Sequence, residues 1–135
     1  MPVKVFTPEE VNRVLPQVEE TIRWLQDVVF AILRTQDALS VLTLLGAEAA
    51  ANAEHEELLR RKLELEELVE KYNRRLDDLQ RLGGMLKDLH EGLVDFYGLK
   101  DGRLIFLCWK IGEPSVRFWH EINAGAVGRR PVSEL

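Results

Sequence analysis

Leu76-Asp77-Asp78-Leu79-Gln80-Arg81-Leu82-Gly83-Gly84, with Leu93-Val94-Asp95-Phe96 a little further on, is the stretch that decides the fold. Before Gly83 the apolar residues recur every three or four positions. After Gly84 the period falls to about two, and paired glycines at such a change stop a helix. The chain upstream reads as helix and the chain downstream as sheet, which makes an α+β protein, mainly α.

Downstream, Leu93-Val94-Asp95-Phe96 is expected to be a first strand, residues 103–110 a second and residues 116–122 a third. Lys100-Asp101-Gly102 supplies the first turn and Gly112-Glu113-Pro114-Ser115 the next, so residues 83–135 predict a small antiparallel β unit with a C-terminal tail. Because Pro114 suits a first helical turn, a short helix over 114–121 is the alternative. Alternation puts Leu104, Phe106 and Cys108 on one face of the second strand and Ile105, Leu107 and Trp109 on the other. Both faces are apolar, so the sheet should be covered on both sides. On the third strand Val116, Phe118, His120 and Ile122 share a face, opposed by Arg117, Trp119 and Glu121.

Upstream, residues 7–82 predict a long antiparallel, coiled-coil-like helical hairpin. Thr7 serves as N-cap, Pro8 fits the first helical position, Glu10 closes a capping box and Phe6 can staple onto Val11. Val11, Leu15, Val18, Ile22, Leu25, Val29 and Ile32 then form a seam, with a kink or break expected at Pro16. The seam fades at Gln36, and Gly46 with the alanines after it marks a tip near 46–52. The second helix carries Leu58, Leu65, Val69, Tyr72, Leu76 and Leu79 on one face. Its pairs Glu56/Arg60, Glu57/Arg61, Glu67/Lys71 and Glu70/Arg74 describe a solvated surface. Trp24, Val28, Phe30 and Leu33 lie outside the first seam, and Leu59 and Leu63 outside the second. A homodimer through the helices, forming a four-helix bundle, is the simplest way to bury them.

The 135 residues fit a single domain. The net charge of −5 divides as −2 over residues 1–46, −3 over 47–82 and zero over 83–135. No segment is basic enough to hold a phosphate backbone, so nucleic acid is not an expected partner. Cys108 is the lone cysteine, which fits a cytoplasmic protein without disulfides. No signal peptide is read at the start. The most apolar stretch, residues 28–45, is broken by Arg34, Gln36 and Asp37, so no membrane span is expected, and the net acidic charged face of the helices argues against a membrane surface.

Chemistry, where the sequence offers any, sits among Trp109, Glu113, Trp119, His120 and Arg129, the candidate ligand or anion site. In this reading Arg129 or Arg130 would hold a carboxylate or phosphate, with a tryptophan wall and His120 nearby. The competing reading is a Glu113–Arg129 clamp closing the tail onto the sheet. His120 on an apolar face reads first as a hydrogen-bonded core residue and second as a base or ligand beside Glu113, Asp95 or Cys108. Cys108 and His120 are weak metal candidates without a ligand spacing such as CxxC or HExxH, so no metal and no cofactor is expected. Leu107-Cys108-Trp109 reads as interior, which favours an inert thiol. His55 and His90 read as exposed.

Phe6-Thr7-Pro8-Glu9-Glu10-Val11-Asn12 with Leu15-Pro16, Leu86-Lys87-Asp88-Leu89, Gly92-Leu93-Val94-Asp95-Phe96, Leu107-Cys108-Trp109-Lys110-Ile111-Gly112-Glu113-Pro114, Phe118-Trp119-His120-Glu121 and the segment 125–129 together resemble a bacterial family known as domain of unknown function 2203. Tyr97 and Ala126 depart from its pattern. The resemblance implies an architecture and a bacterial, cytoplasmic setting, and it implies no activity. The functional expectation is therefore a nonenzymatic helical-hairpin protein that self-associates and presents its aromatic β unit to a protein partner or ligand. The alternative is a small-anion binder or enzyme, with metal dependence as one form of it, centred on Cys108, Glu113, His120 and Arg129.

Overall fold

The computed structural model describes residues 3–49 and 53–135. Two long helices packed together, α1 (Pro8–Leu44) and α2 (Ala53–Arg81), precede a five-stranded antiparallel sheet. The strands are β1 (Met85–Asp88), β2 (Leu93–Lys100), β3 (Arg103–Lys110), β4 (Phe118–Glu121) and β5 (Arg130–Pro131), in spatial order of sequence. The chain forms two compact units. One holds the start of α1 up to Arg23 and everything from Asp77 onward, and the other is Trp24–Leu76.

In the first unit α1 begins as the sequence predicts. Thr7 N–H donates to Glu10 Oε1 at 3.0 Å and Glu10 N–H to Thr7 Oγ1 at 3.2 Å, a reciprocal capping box. The expected break at Pro16 does not occur, and α1 runs through it as one helix. Pro16 is exposed while Leu15 and Val18 on either side are buried, so packing holds the helix across the missing donor. At the other end α2 closes in a Schellman turn, with Gly84 N–H donating to Leu79 O at 3.1 Å and Gly83 N–H to Gln80 O at 2.9 Å. Gly83 has φ +95°, and a Cβ there would lie 2.3 Å from the Phe6 ring. Phe6 in turn meets Phe96 edge-on at 5.3 Å and donates its N–H to Tyr97 O at 2.8 Å, tying the segment before α1 to the sheet.

The sheet is larger than the expected meander. The first predicted strand continues to Lys100, and a two-residue Asp101-Gly102 turn with both φ positive joins it to β3 through the closing pair Lys100 and Arg103. The third strand is shorter than 116–122, and the alternative helix over 114–121 does not form. Val116 N–H is taken by Asn12 Oδ1 at 2.7 Å, and Arg117 O accepts from Val132 N–H at 2.8 Å, so pairing with β3 starts only at Phe118. β1 and β5 were not anticipated. They are short edge pairings, and β1 carries a bulge between Leu86 and Asp88.

Register assigns the sheet faces. Val94, Phe96, Ile105, Leu107, Trp109 and Trp119 share one face and are fully or almost fully buried, on the side where Phe6 docks. Asp95, Tyr97, Phe106, Cys108, Phe118 and His120 share the other. The tail turns back over this second face, with the Arg129 guanidinium 4.1 Å from the Phe118 ring centroid.

Within Trp24–Leu76 the helices pack through Leu25, Val29, Ile32, Thr35, Leu39 and Leu42 of α1 and Leu58, Arg61, Leu65, Leu68 and Tyr72 of α2, all buried or half-buried. The α1 seam thus does not fade at Gln36 but passes through Thr35, whose hydroxyl donates to Ala31 O at 2.9 Å and reaches Glu64 Oε1 at 3.5 Å. Leu68 takes the seam position assigned to Val69, which is 40% exposed. Trp24 and Val28 are half-buried on the seam side, and Arg75 lies 4.9 Å over the Trp24 ring. Of the expected surface pairs, Glu57 binds both Arg60 and Arg61, and Glu70 meets Arg74 at 3.8 Å. A turn at residues 45–49 follows α1, and the rest of the tip expected near 46–52 lies outside the described residues. His55 is half-buried rather than exposed, with Nδ1 2.9 Å from Ala47 O, while His90 is exposed on the turn after β1.

Candidate functional site

The structure separates the residues singled out in the sequence into two groups. Trp109 and Trp119 are core residues on the Phe6 side of the sheet, each 1% exposed. His120 lies on the opposite face, so no tryptophan forms a wall beside it. Neighbours in a strand point to opposite sides, and Trp119-His120 could not share a pocket once residues 118–121 became strand.

Glu113 and Arg129 do meet. Arg129 Nη2 donates to Glu113 Oε1 at 2.7 Å and lies 3.3 Å from Cys108 O, while the same Glu113 oxygen accepts from Lys110 N–H at 2.6 Å. Trp109 Nε1–H donates to Glu113 O at 2.9 Å. This clamp ties the tail and the β3–β4 turn to the end of β3, and its charges satisfy one another. Nη2 is the nitrogen engaged in these contacts, and Arg129 Nε is buried without a partner.

The second group is Asp95, Cys108 and His120, one residue from each of β2, β3 and β4 on the same sheet face. Asp95 stands directly opposite Cys108 in register, and His120 is diagonal to Cys108, opposite Phe106. All three are buried, at 3%, 1% and 2% exposure. Their potential donor atoms lie within 4.8 Å of one another. They line a cavity of about 140 Å³ with Lys87, Leu93, Phe106, Ile122, Gly125 and Ala126. Lys87 Nζ lies 4.6 Å over the Phe106 ring, and the Arg129 guanidinium is a second cation near Cys108.

The hydrogen bonds of His120 define its chemistry. Nδ1 lies 2.8 Å from Glu121 O, and a carbonyl only accepts, so Nδ1 carries a hydrogen. Nε2 lies 3.0 Å from Asp95 Oδ2, a contact in which one hydrogen, or a cation in its place, joins the two atoms. Asp95 Oδ1 is buried without a nitrogen or oxygen donor, and the weak donor beside the Asp95 carboxylate is the Cys108 thiol. Burial, reinforced by the Asp95 carboxylate, pushes the Cys108 thiol up to about 12 from its ordinary 9.0. A thiol so placed is inert as a nucleophile. Asp95 was visible in the sequence only as one of several candidate neighbours for His120. The better signal was its position, a carboxylate inside the apolar run Leu93-Val94-Asp95-Phe96.

A helical hairpin followed by an antiparallel sheet with a buried Asp–Cys–His cluster on its tail-side face defines an α+β protein with one compact polar site. The chain belongs to the family described as "Uncharacterized conserved protein (DUF2203)", whose model matches residues 4–132. No curated protein and no solved structure matches it.

Proposed function

We propose that this is a nonenzymatic, self-associating helical-hairpin protein whose β unit is a rigid module presented to a protein partner or ligand. The observation that carries the reading is the outer face of α1. Phe30, Leu33, Val41 and Leu44 are 61%, 54%, 55% and 87% exposed. At 100° per residue they fall, with Asp37, within an arc of about 80° on the side opposite the Leu25–Leu42 seam. A helix apolar on two opposite sides fits a position between two neighbours. The hairpin supplies one, and a second copy of this chain is the natural other. These four side chains leave roughly 450 Å² of apolar surface, about the apolar share of the ~800 Å² that each partner gives a standard interface.

A two-fold axis near Asp37 would set Phe30 against Leu44 and Leu33 against Val41 of the partner, with the two Asp37 carboxylates meeting at the axis as a like-charge pair that this packing must keep solvated. It joins the hairpins through α1 and α1, side by side. The lone buried thiol and the family resemblance support a bacterial cytoplasmic setting. Among the described residues no helix is long and apolar enough to cross a membrane. Light scattering at micromolar concentration tests the reading: twice the 15.5 kDa chain mass is expected, and a monodisperse monomer overturns it.

A further inference from the structure

We propose that Asp95, Cys108 Sγ and His120 Nε2 form a binding site for one divalent transition-metal ion, zinc by its donor set, with its remaining coordination position open to the cavity lined by Gly125 and Ala126. The site goes beyond the self-association reading and does not depend on it.

Three features of the cluster point to a missing cation. Asp95 is 3% exposed and lines the cavity, yet its Oδ1 meets no nitrogen or oxygen donor, and only the weak thiol donor of Cys108 stands beside the carboxylate. His120 presents Nε2 to a carboxylate while Nδ1–H is spent on Glu121 O, the outer hydrogen bond that orients metal-bound histidines. Cys108 adds a sulfur to the same sheet face. One ion answers all three. It occupies the gap between Nε2 and the carboxylate, neutralises Asp95, and stabilises Cys108 as thiolate.

The donor set selects the metal. Sulfur, imidazole and carboxylate together suit zinc and its neighbours, whereas magnesium and calcium take oxygen alone. Ligands of one tetrahedral zinc stand about 3.3–3.8 Å apart at normal bond lengths, so donors already within 4.8 Å need only small rotations. Three protein ligands with an open fourth position are the arrangement of reactive zinc sites. The cavity of about 140 Å³ leaves room for several waters at ~30 Å³ each, or for a small ligand on the metal. Asp95 and thiolate balance the ion's charge, and Lys87 beside the cavity favours an anionic fourth ligand. Binding displaces the thiol proton of Cys108, so uptake of the ion releases acid.

Cobalt(II) is the probe. It is added to chelator-treated full-length chain, both folded and refolded in its presence so that slow entry is not misread. One equivalent should give thiolate-to-cobalt charge-transfer absorption with tetrahedral d–d bands, bleached by zinc, and protons should appear in weak buffer. Cys108→Ser should abolish the charge-transfer band. Asp95→Asn and His120→Gln should weaken binding by about tenfold or more, and His90→Ala, on the exposed turn, should leave it unchanged. Wild-type chain without the band at stoichiometric cobalt overturns the site whatever the variants do. Binding without the band, or binding lost in His90→Ala, assigns the ion to the surface and overturns it too.

Discussion

Gly83 and Cys108 show how much single positions decide. Gly83 sits at φ +95° against the Phe6 ring, so Gly83→Ala incurs backbone strain and a clash together. We expect a loss of about 2 kcal/mol or more, read by urea unfolding. Cys108 sets a pH dependence in metal-free protein. Its thiol is raised in the folded state, so the folded chain keeps a proton that the unfolded chain has released. That contribution is complete below about pH 9 and is lost as pH rises toward about 12, at up to about 1.4 kcal/mol per pH unit. Wild type should therefore lose stability between pH 8 and pH 10 faster than Cys108→Ala, and equal slopes would remove the thiol as the cause. Glu113→Ala should cost about 2 kcal/mol, because Lys110 N–H and the Arg129 guanidinium both lose their acceptor.

At the scale of elements, legibility followed locality. The α1 cap, the α2 stop at Gly83-Gly84 and the Asp101-Gly102 turn were readable because each is determined by a few adjacent residues. Thr7→Ala should remove about 1 kcal/mol through the lost cap, measured by thermal unfolding against Thr7→Ser, which should retain most of it. β1 and β5 were not readable, because strands this short take their identity from the neighbour they pair with. Val116 illustrates the same limit, its N–H being captured by Asn12, 104 residues away. The seam of α2 was misread at Val69 because Arg61 and Arg75 occupy positions on the packed side, breaking the apolar pattern that would have pointed to Leu68. In the candidate site, alternation placed Cys108 and His120 on their faces, yet only cross-strand register sets Asp95 opposite Cys108 and leaves both tryptophans behind the sheet.

For the molecule as a whole, the outer stripe of α1 carries the prediction. Leu33→Asp, alone or with Phe30→Glu, should abolish the proposed dimer while leaving helicity intact, since neither side chain belongs to the hairpin seam. A loss of helicity together with the dimer would place these residues in the hairpin's own packing. Metal binding by the β unit should be unaffected in the same variants, because its donors all lie on strands of the sheet.

The two-sided character of α1 has a consequence during synthesis. The 37-residue helix is complete before any of α2 has been translated, and it has an apolar flank on each side. At 5–20 residues per second, the stretch through the end of α2 takes roughly 2–7 seconds to emerge. For that interval the nascent chain exposes both flanks at once, and in the proposed dimer the outer one is covered only when a second copy arrives. Ribosome-bound nascent chains long enough for α1 to have left the exit tunnel while α2 is still inside it should therefore crosslink to holdase chaperones through Phe30 and Leu33, and chains in which α2 has also emerged should retain that crosslink while losing the one through Leu25.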